Sequence, residues 1–389
     1  MGFYCALANY GITIDNDDTL MPCCQYNLNK SQLPKLSHRQ AADFEKTVRP
    51  QIIKDLEQGV LHAGCDVCWH QEKISGKSLR TDSNKFYTDD PRGIVDMEVR
   101  LGNVCNLKCP MCGPYASSLW YAEMSKHRDQ FMENNYYRLI DKKDPVDSQY
   151  KPDRDYYTSK WYDEQTVFEF VDLRLHNLRK LNISGGEPFM SDTMRSILQT
   201  LSARQDLHPD FTIQINTNGT VLDQTHIELL QKIKYRVRIC ISLEGVGKHN
   251  DYLRHPSNWQ DIDKNIKILC GIRDKRIEKN FSVTSQHTVQ PASVYSFLPL
   301  AEYCYQMRIP MVLSPVYNSK MDLSAINQDE KNKVKNIHCD TCDQDTLERF
   351  KRIIRKINPK EQSRKSYKKY IGFLDKIRNT NYESLFGPL

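Results

Sequence analysis

Residues 94–112 read IVDMEVRLGNVCNLKCPMC, and the rest of the chain is organised around this stretch. Residues 94–101 are rich in Val and Ile with charges alternating through them, the pattern of a strand with one buried face. The second half carries Cys105, Cys109 and Cys112 in a CxxxCxxC spacing. Three thiolates within eight residues can wrap one corner of a cubane iron–sulfur cluster, whose preferred ligands they are. The next cysteine is Cys240, so no fourth thiolate closes the site locally. An open metal position marks a reactive centre rather than a purely structural one. Two other readings stand beside it. Structural zinc usually needs four ligands in paired spacings, and free cysteine is often simply buried in a core.

CNLKCPMC resembles the signature of the radical S-adenosylmethionine (SAM) enzymes. The resemblance implies a [4Fe-4S] cluster on Cys105, Cys109 and Cys112, with SAM chelating the open iron beside Met111. It extends to NISGGEPF, where Gly185, Gly186 and Glu187 are similar to the family's GGEP motif, which holds the SAM amino group. Glycines let a backbone approach a ligand closely, and a carboxylate accepts from an ammonium. INTNGT (Asn216, Asn218) and ISLEG (Ser242, Glu244), followed by YLRHP with Arg254, stand where the family contacts the SAM ribose and carboxylate. Turn-forming Asn-Gly and an ordinary surface arginine are the plainer readings.

Alternating strand and helix patterns from about residue 90 predict a parallel α/β barrel. Strands are expected at 94–101, 180–184, 212–217, 237–243, 282–288 and 311–315. Six βα units agree with the partial (βα)6 TIM-like barrel that the resemblance implies. Reactive groups in such barrels gather at the C-terminal strand ends, where each of the motifs above falls. The fifth and sixth strands offer His287 and Tyr317 as substrate-facing candidates. Between Cys112 and the second strand runs a long aromatic connection holding Tyr136, Tyr137, Tyr150, Tyr156, Tyr157, Trp161 and Tyr162. Such a loop is a lid or a surface insert.

Thirteen cysteines, eight of them before residue 113, favour metal or redox chemistry over disulfides in a chain read as cytoplasmic. The N-terminus lacks the basic start and apolar core of a signal peptide, and no apolar run reaches membrane-span length. Residues 1–88 form a cysteine-rich unit. Cys5, Cys23, Cys65 and Cys68 suffice for one complete cluster, with Cys65 and Cys68 as its CxxC chelate. Adjacent strand residues point to opposite sides, so Cys23 is chosen over Cys24. Zinc fits the same four positions. GCDVCWHQEKISGKSLR is similar to the twitch/SPASM-type modules of peptide-modifying radical SAM enzymes, in which CxxCW precedes an acidic residue and a GxSxR element. The resemblance implies a second, auxiliary [4Fe-4S] cluster. Here the module precedes the barrel, and its turn reads Asn-Asp-Asp where glycine is commoner.

The expected division is thus 1–88 auxiliary module, 89–320 barrel and 321–389 helical C-terminal extension. A net charge of +6 from 55 basic and 49 acidic residues is a small excess, much of it at 351–369. That run reads as a solvated helix face rather than a nucleic-acid contact. Cys339 and Cys342 form another CxxC, read as reduced thiols with metal as the lesser alternative. The resemblance implies reductive SAM cleavage to a 5′-deoxyadenosyl radical, which abstracts hydrogen from substrate. An electron donor such as flavodoxin or ferredoxin would feed it. A peptide or protein is the first substrate reading, oxidation of a small molecule such as an amino sugar the second. A non-catalytic zinc or iron–sulfur module touching nucleic acid is the reading from another class.

Overall fold

The computed structural model of the protein describes residues 3–28, 33–36, 39–87, 89, 91–134, 136, 164–316 and 320–388. Its centre is one eight-stranded sheet in the order β2-β1-β3-β4-β5-β6-β7-β8. The strands are β1 (Gly11–Ile14), β2 (Leu20–Met21), β3 (Asp96–Leu101), β4 (Lys180–Gly185), β5 (Thr212–Thr217), β6 (Arg236–Ser242), β7 (Phe281–Val289) and β8 (Met311–Pro315). β1, β3, β4 and β5 pair in parallel, as do β7 and β8, while β2 is antiparallel to β1. From β3 onward, helices alternate with the strands. This is an α/β fold of the partial-barrel kind.

The six expected barrel strands appear within one or two residues of their predicted bounds. Two more precede them, and β1 pairs with β3 from Gly11 against Asp96 to Ile14 against Val99. Residues before position 88 therefore extend the barrel's own sheet. The turn between β1 and β2 dispenses with glycine because Asp18 takes the left-handed conformation at φ 57°. Aspartate tolerates that region better than most side chains. Asp18 N donates to Asp15 O at 2.9 Å, closing the turn.

The chain packs as two compact units. The first comprises Met1–Val104, Arg154–Ile215 and Gln224–Val237. In it, Ala6, Leu7, Tyr26, Ile52 and Leu56 are buried together, with Cys23, Cys65 and Trp69 against them. The second comprises Cys105–Asp153, Asn216–Asp223 and Arg238–Leu389. Its aromatic core joins Trp120, Phe131, Tyr136, Tyr252, Tyr367, Tyr370 and Phe386, with Met111 and Cys112 packed on it. Each side chain buried this fully contributes roughly 1.5–3 kcal/mol. The basic run at 351–369 lies on two amphipathic helices, Gln344–Arg355 and Glu361–Arg378, whose apolar positions Phe350, Ile354, Tyr367 and Tyr370 are buried. Among the described residues no helix is long and apolar enough to cross a membrane.

Candidate active site

In the second unit, Cys105, Cys109 and Cys112 lie on a loop held almost carbonyl by carbonyl. Ser117 Oγ donates to Leu107 O, Trp120 Nε1 to Cys109 O at 2.8 Å and Tyr370 OH to Pro110 O at 2.9 Å. Lys108 N donates to His255 O at 2.7 Å. The Lys108 ammonium pairs with Glu123, which also receives the buried Arg378 guanidinium at 2.6 Å. Cys105 Sγ accepts from Leu107 N at 3.4 Å and, at a long 3.8 Å, from Asn218 Nδ2. Asn218 also donates to Asn106 Oδ1 at 2.9 Å, and Asn106 to Thr220. The expected Asn218 thus meets the loop itself. Sequence reasoning missed Trp120, Glu123, Tyr370 and Arg378. Their partners lie 11 to 260 residues away, beyond the reach of local periodicity.

Arg254 is the cation of this site. Its Nη1 lies 3.2 Å from Glu244 Oε1, and its Nε is buried without a hydrogen-bond partner. Burial opposes its charge, but Cys109, then Glu244, Cys105 and Cys112, outweigh that and raise its pKa. One guanidinium thus sits in the field of all three thiols. Burial pushes the Cys109 thiol up and the Cys112 thiol to about 12. Buried thiols of this kind ionise only with added positive charge nearby, which a bound metal cluster supplies. The donor set and the orphaned guanidinium nitrogen fit an iron–sulfur cluster with an anionic ligand beside it. Among the described residues, the side chains are not drawn together into a group of three or more that would already grip a metal.

Glu244 has no exposure at all. Its Oε1 faces Arg254, and its Oε2 accepts from Thr288 N at 3.0 Å. Burial brings its pKa up to about 7 against the pull of Arg254. In this arrangement it supports Arg254. His287, a substrate-facing candidate from the sequence, is wholly buried in the unit. Nδ1 donates to Leu243 O and Nε2 accepts from Ser293 Oγ, both at 3.0 Å. Burial pushes its pKa down to about 4, so the ring is neutral and structural. Ser242 ends β6 half-buried, while Asn216 and Met111 are half-buried in the same unit. Tyr317, like the aromatic residues 137 to 162 of the long connection, lies outside the described residues.

In the first unit, Gly185 and Gly186 end β4, but their close approach is to the chain's own backbone. A Cβ on Gly185, at φ 126°, would stand 2.6 Å from Leu101 N; one on Gly186 would stand 2.2 Å from Val104 O. Glu187 N donates to Val104 O at 2.8 Å. The glycines thus pin the segment that leads into Cys105. The buried Glu187 carboxylate accepts from Phe189 N at 3.2 Å.

The same unit gathers Cys5, Cys23, Cys65 and Cys68. Burial raises the Cys5, Cys23 and Cys65 thiols, and the cysteines add to one another: Cys24 most, then Cys5 and Cys65, to Cys23, and Cys5 and Cys68 to Cys65. Cys24 itself is affected, after burial, chiefly by Glu98 and Arg100. The CxxCW, acidic and GxSxR elements are physically one assembly. Gly76, at φ 69°, ends the helix Asp66–Ser75. Ser78 caps the next helix and donates to Glu72. Arg80 grips Glu72 through Nε at 3.0 Å, stacks its guanidinium 4.8 Å above Trp69 and donates to Tyr4 O at 2.7 Å. Arg80 thereby ties the Cys5 segment to the CxxC helix and places a positive charge near Cys5 and Cys65. Elsewhere, Cys339 Sγ lies 3.7 Å from Glu302 Oε1, and both CxxC thiols near the C-terminus are buried.

A sheet of the partial-barrel kind thus carries, on the loop that follows β3, the buried Cys109 and the half-buried Cys105 and Cys112. Residues 99–289 match the family model "Radical SAM superfamily". No curated protein matches the chain. Among solved structures, Streptococcus suis SuiB is 11% identical with a TM-score of 0.39, over 84% of this chain and 67% of that one. Its complex with the precursor peptide SuiA gives 15% and 0.36, over 77% and 59%. The structure "Native anSMEcpe with bound AdoMet" gives 13% and 0.38, over 61% of this chain. The chain spans only 57% of that anSMEcpe structure's length.

Proposed function

We propose that Cys105, Cys109 and Cys112 carry the cluster at which SAM is reductively cleaved, and that the hydrogen then abstracted comes from a peptide or protein. The observation that carries this reading is the Arg254 guanidinium, fixed by Glu244 in the field of all three thiols with Nε left over. When bound, the cluster and SAM supply one-electron cleavage to a 5′-deoxyadenosyl radical. The chain's own part is to hold and shield them. Trp120 and Tyr370 fix the loop carbonyls, Leu107 N and Asn218 donate toward the Cys105 sulfur, and the buried aromatic core excludes water. Within the second unit, Met111, Asn216, Asn218, Ser242 and Arg254 are the proposed SAM contacts.

Cys5, Cys23, Cys65 and Cys68 are proposed to hold an auxiliary [4Fe-4S] cluster that relays electrons, in a functional module of residues 1–88 ahead of the barrel at 89–320. The connected CxxCW–Glu72–Ser78–Arg80 assembly supports this reading over zinc, which the same thiols also fit. The peptide assignment rests on the resemblance of that assembly's sequence to modules of peptide-modifying enzymes. Amino-sugar oxidation is the second reading. Anaerobic reconstitution tests the proposal. Wild type should hold about eight irons and release 5′-deoxyadenosine with SAM and reductant, and the triple alanine variant at 105, 109 and 112 about four with none released. An iron-free, deoxyadenosine-free wild type would end it.

A further inference from the structure

Beyond the cysteine loop, the second unit holds an ammonium with an unusual setting. Lys320 follows β8 by five residues, past the strand end at which barrel enzymes assemble their reactive groups. Its Nζ stands 3.2 Å above the Tyr136 ring centroid and 5.3 Å from that of Tyr370. The Tyr370 hydroxyl is the one bound to Pro110 O, so a single aromatic ring separates Lys320 from the cysteine loop. Tyr136 is buried, and among the described residues its hydroxyl has no hydrogen-bond partner. Among the described residues Lys320 has no carboxylate partner. Burial, and then the like charge of Lys369, push its pKa down to about 8.

Ring faces attract a cation without neutralising it. Among the described residues, this half-buried ammonium feels the like charge of Lys369, lies over a buried phenol that has no acceptor, and lacks an anion. We propose that Lys320, with Tyr136 and Lys369, binds a carboxylate carried by the substrate and so orients it beside the cysteine loop. The proposal deepens the radical SAM reading of that loop and rests on it. Two ammoniums and one phenol suit the two oxygens of a carboxylate. Among the described residues the site shows neither an arginine fork nor a helix N-terminus of the kind that commonly cradles phosphate.

The test is competitive amine acetylation of the reconstituted full chain, with Lys320 quantified by peptide mass spectrometry. The probes are N-acetyl-L-glutamate, N-acetyl-L-glutamine and inorganic phosphate at equal ionic strength. N-Acetyl-L-glutamate should slow Lys320 acetylation at least threefold relative to the glutamine analogue, while Lys267, paired with Asp263 on another helix, keeps its rate. Tyr136→Phe, which preserves the ring beneath the ammonium, should lose at least half of that protection. Equal Lys320 rates with all three probes would overturn the proposal, and phosphate protecting as well as glutamate would overturn the carboxylate assignment. Labelling requires no SAM cleavage. Protection without 5′-deoxyadenosine formation would sink the radical chemistry and leave the carboxylate site standing.

Discussion

Glu244 shows how a residue can occupy a motif position and serve it indirectly. Its carboxylate holds Arg254 on one side and Thr288 N on the other, and the residue is fully buried. Glu244→Gln should keep the Thr288 bond and lose the charge. Loss of such an outer partner costs roughly 10- to 100-fold in activity or metal affinity. The 5′-deoxyadenosine rate should fall by that order while the circular dichroism spectrum is retained. His287 gives a pH signature. Its pKa of about 4 in the fold lies below the ordinary imidazole value, so between that value and about 4 the unfolded chain binds the extra proton. Stability should therefore fall as pH drops through this window, by about 3 kcal/mol from this group. Urea midpoints of wild type and His287→Gln should converge from pH 7 to 4.5; parallel lines would contradict the assignment. The cysteine motif was legible because its ligand spacing is local. The burial of Glu244 and His287 was not, because alternation along a strand does not say which strand ends are covered.

At the scale of elements, the helix Glu361–Arg378 is the clearest case of structure beyond the reach of the sequence pattern. Its period announces an amphipathic helix, yet nothing in residues 361–378 names Pro110 or Glu123 as partners. Tyr370→Phe removes one buried hydrogen bond, worth about 1 kcal/mol, and leaves Pro110 O unpaired. The variant should fold, reconstitute, and then lose iron to a chelator several-fold faster than wild type. Unchanged iron release would show that the loop holds its shape without the helix. The glycines at the end of β4 also read differently in three dimensions. A Cβ at either glycine would meet the backbone of Leu101–Val104, so both also serve the chain's own packing.

Across the molecule, the six barrel strands were readable because buried parallel strands are apolar runs with turn signals at their ends. The extension of the sheet to β1 and β2 was not, since a four-residue strand carries little pattern and its partner β3 lies about eighty residues on. Cys23 and Cys24 show a mixed outcome. Alternation separated them, and in the structure Cys24 is affected, after burial, chiefly by Glu98 and Arg100. Cys23→Ser should lower iron by about four atoms per chain and Cys24→Ser should leave the count unchanged. The reverse result would exchange their roles.

The hydrogen bond from Tyr370 to Pro110 spans 260 residues of chain. At about 5–20 residues per second of synthesis, the cysteine loop leaves the ribosome roughly 13–50 s before its brace. Through that interval the three thiols are born without their cover, open to oxidants and to stray metals. Were the proposed cluster held only by the braced loop, its insertion would wait for translation of the C-terminal helix, and slowed synthesis between the two would lower the fraction of protein that matures.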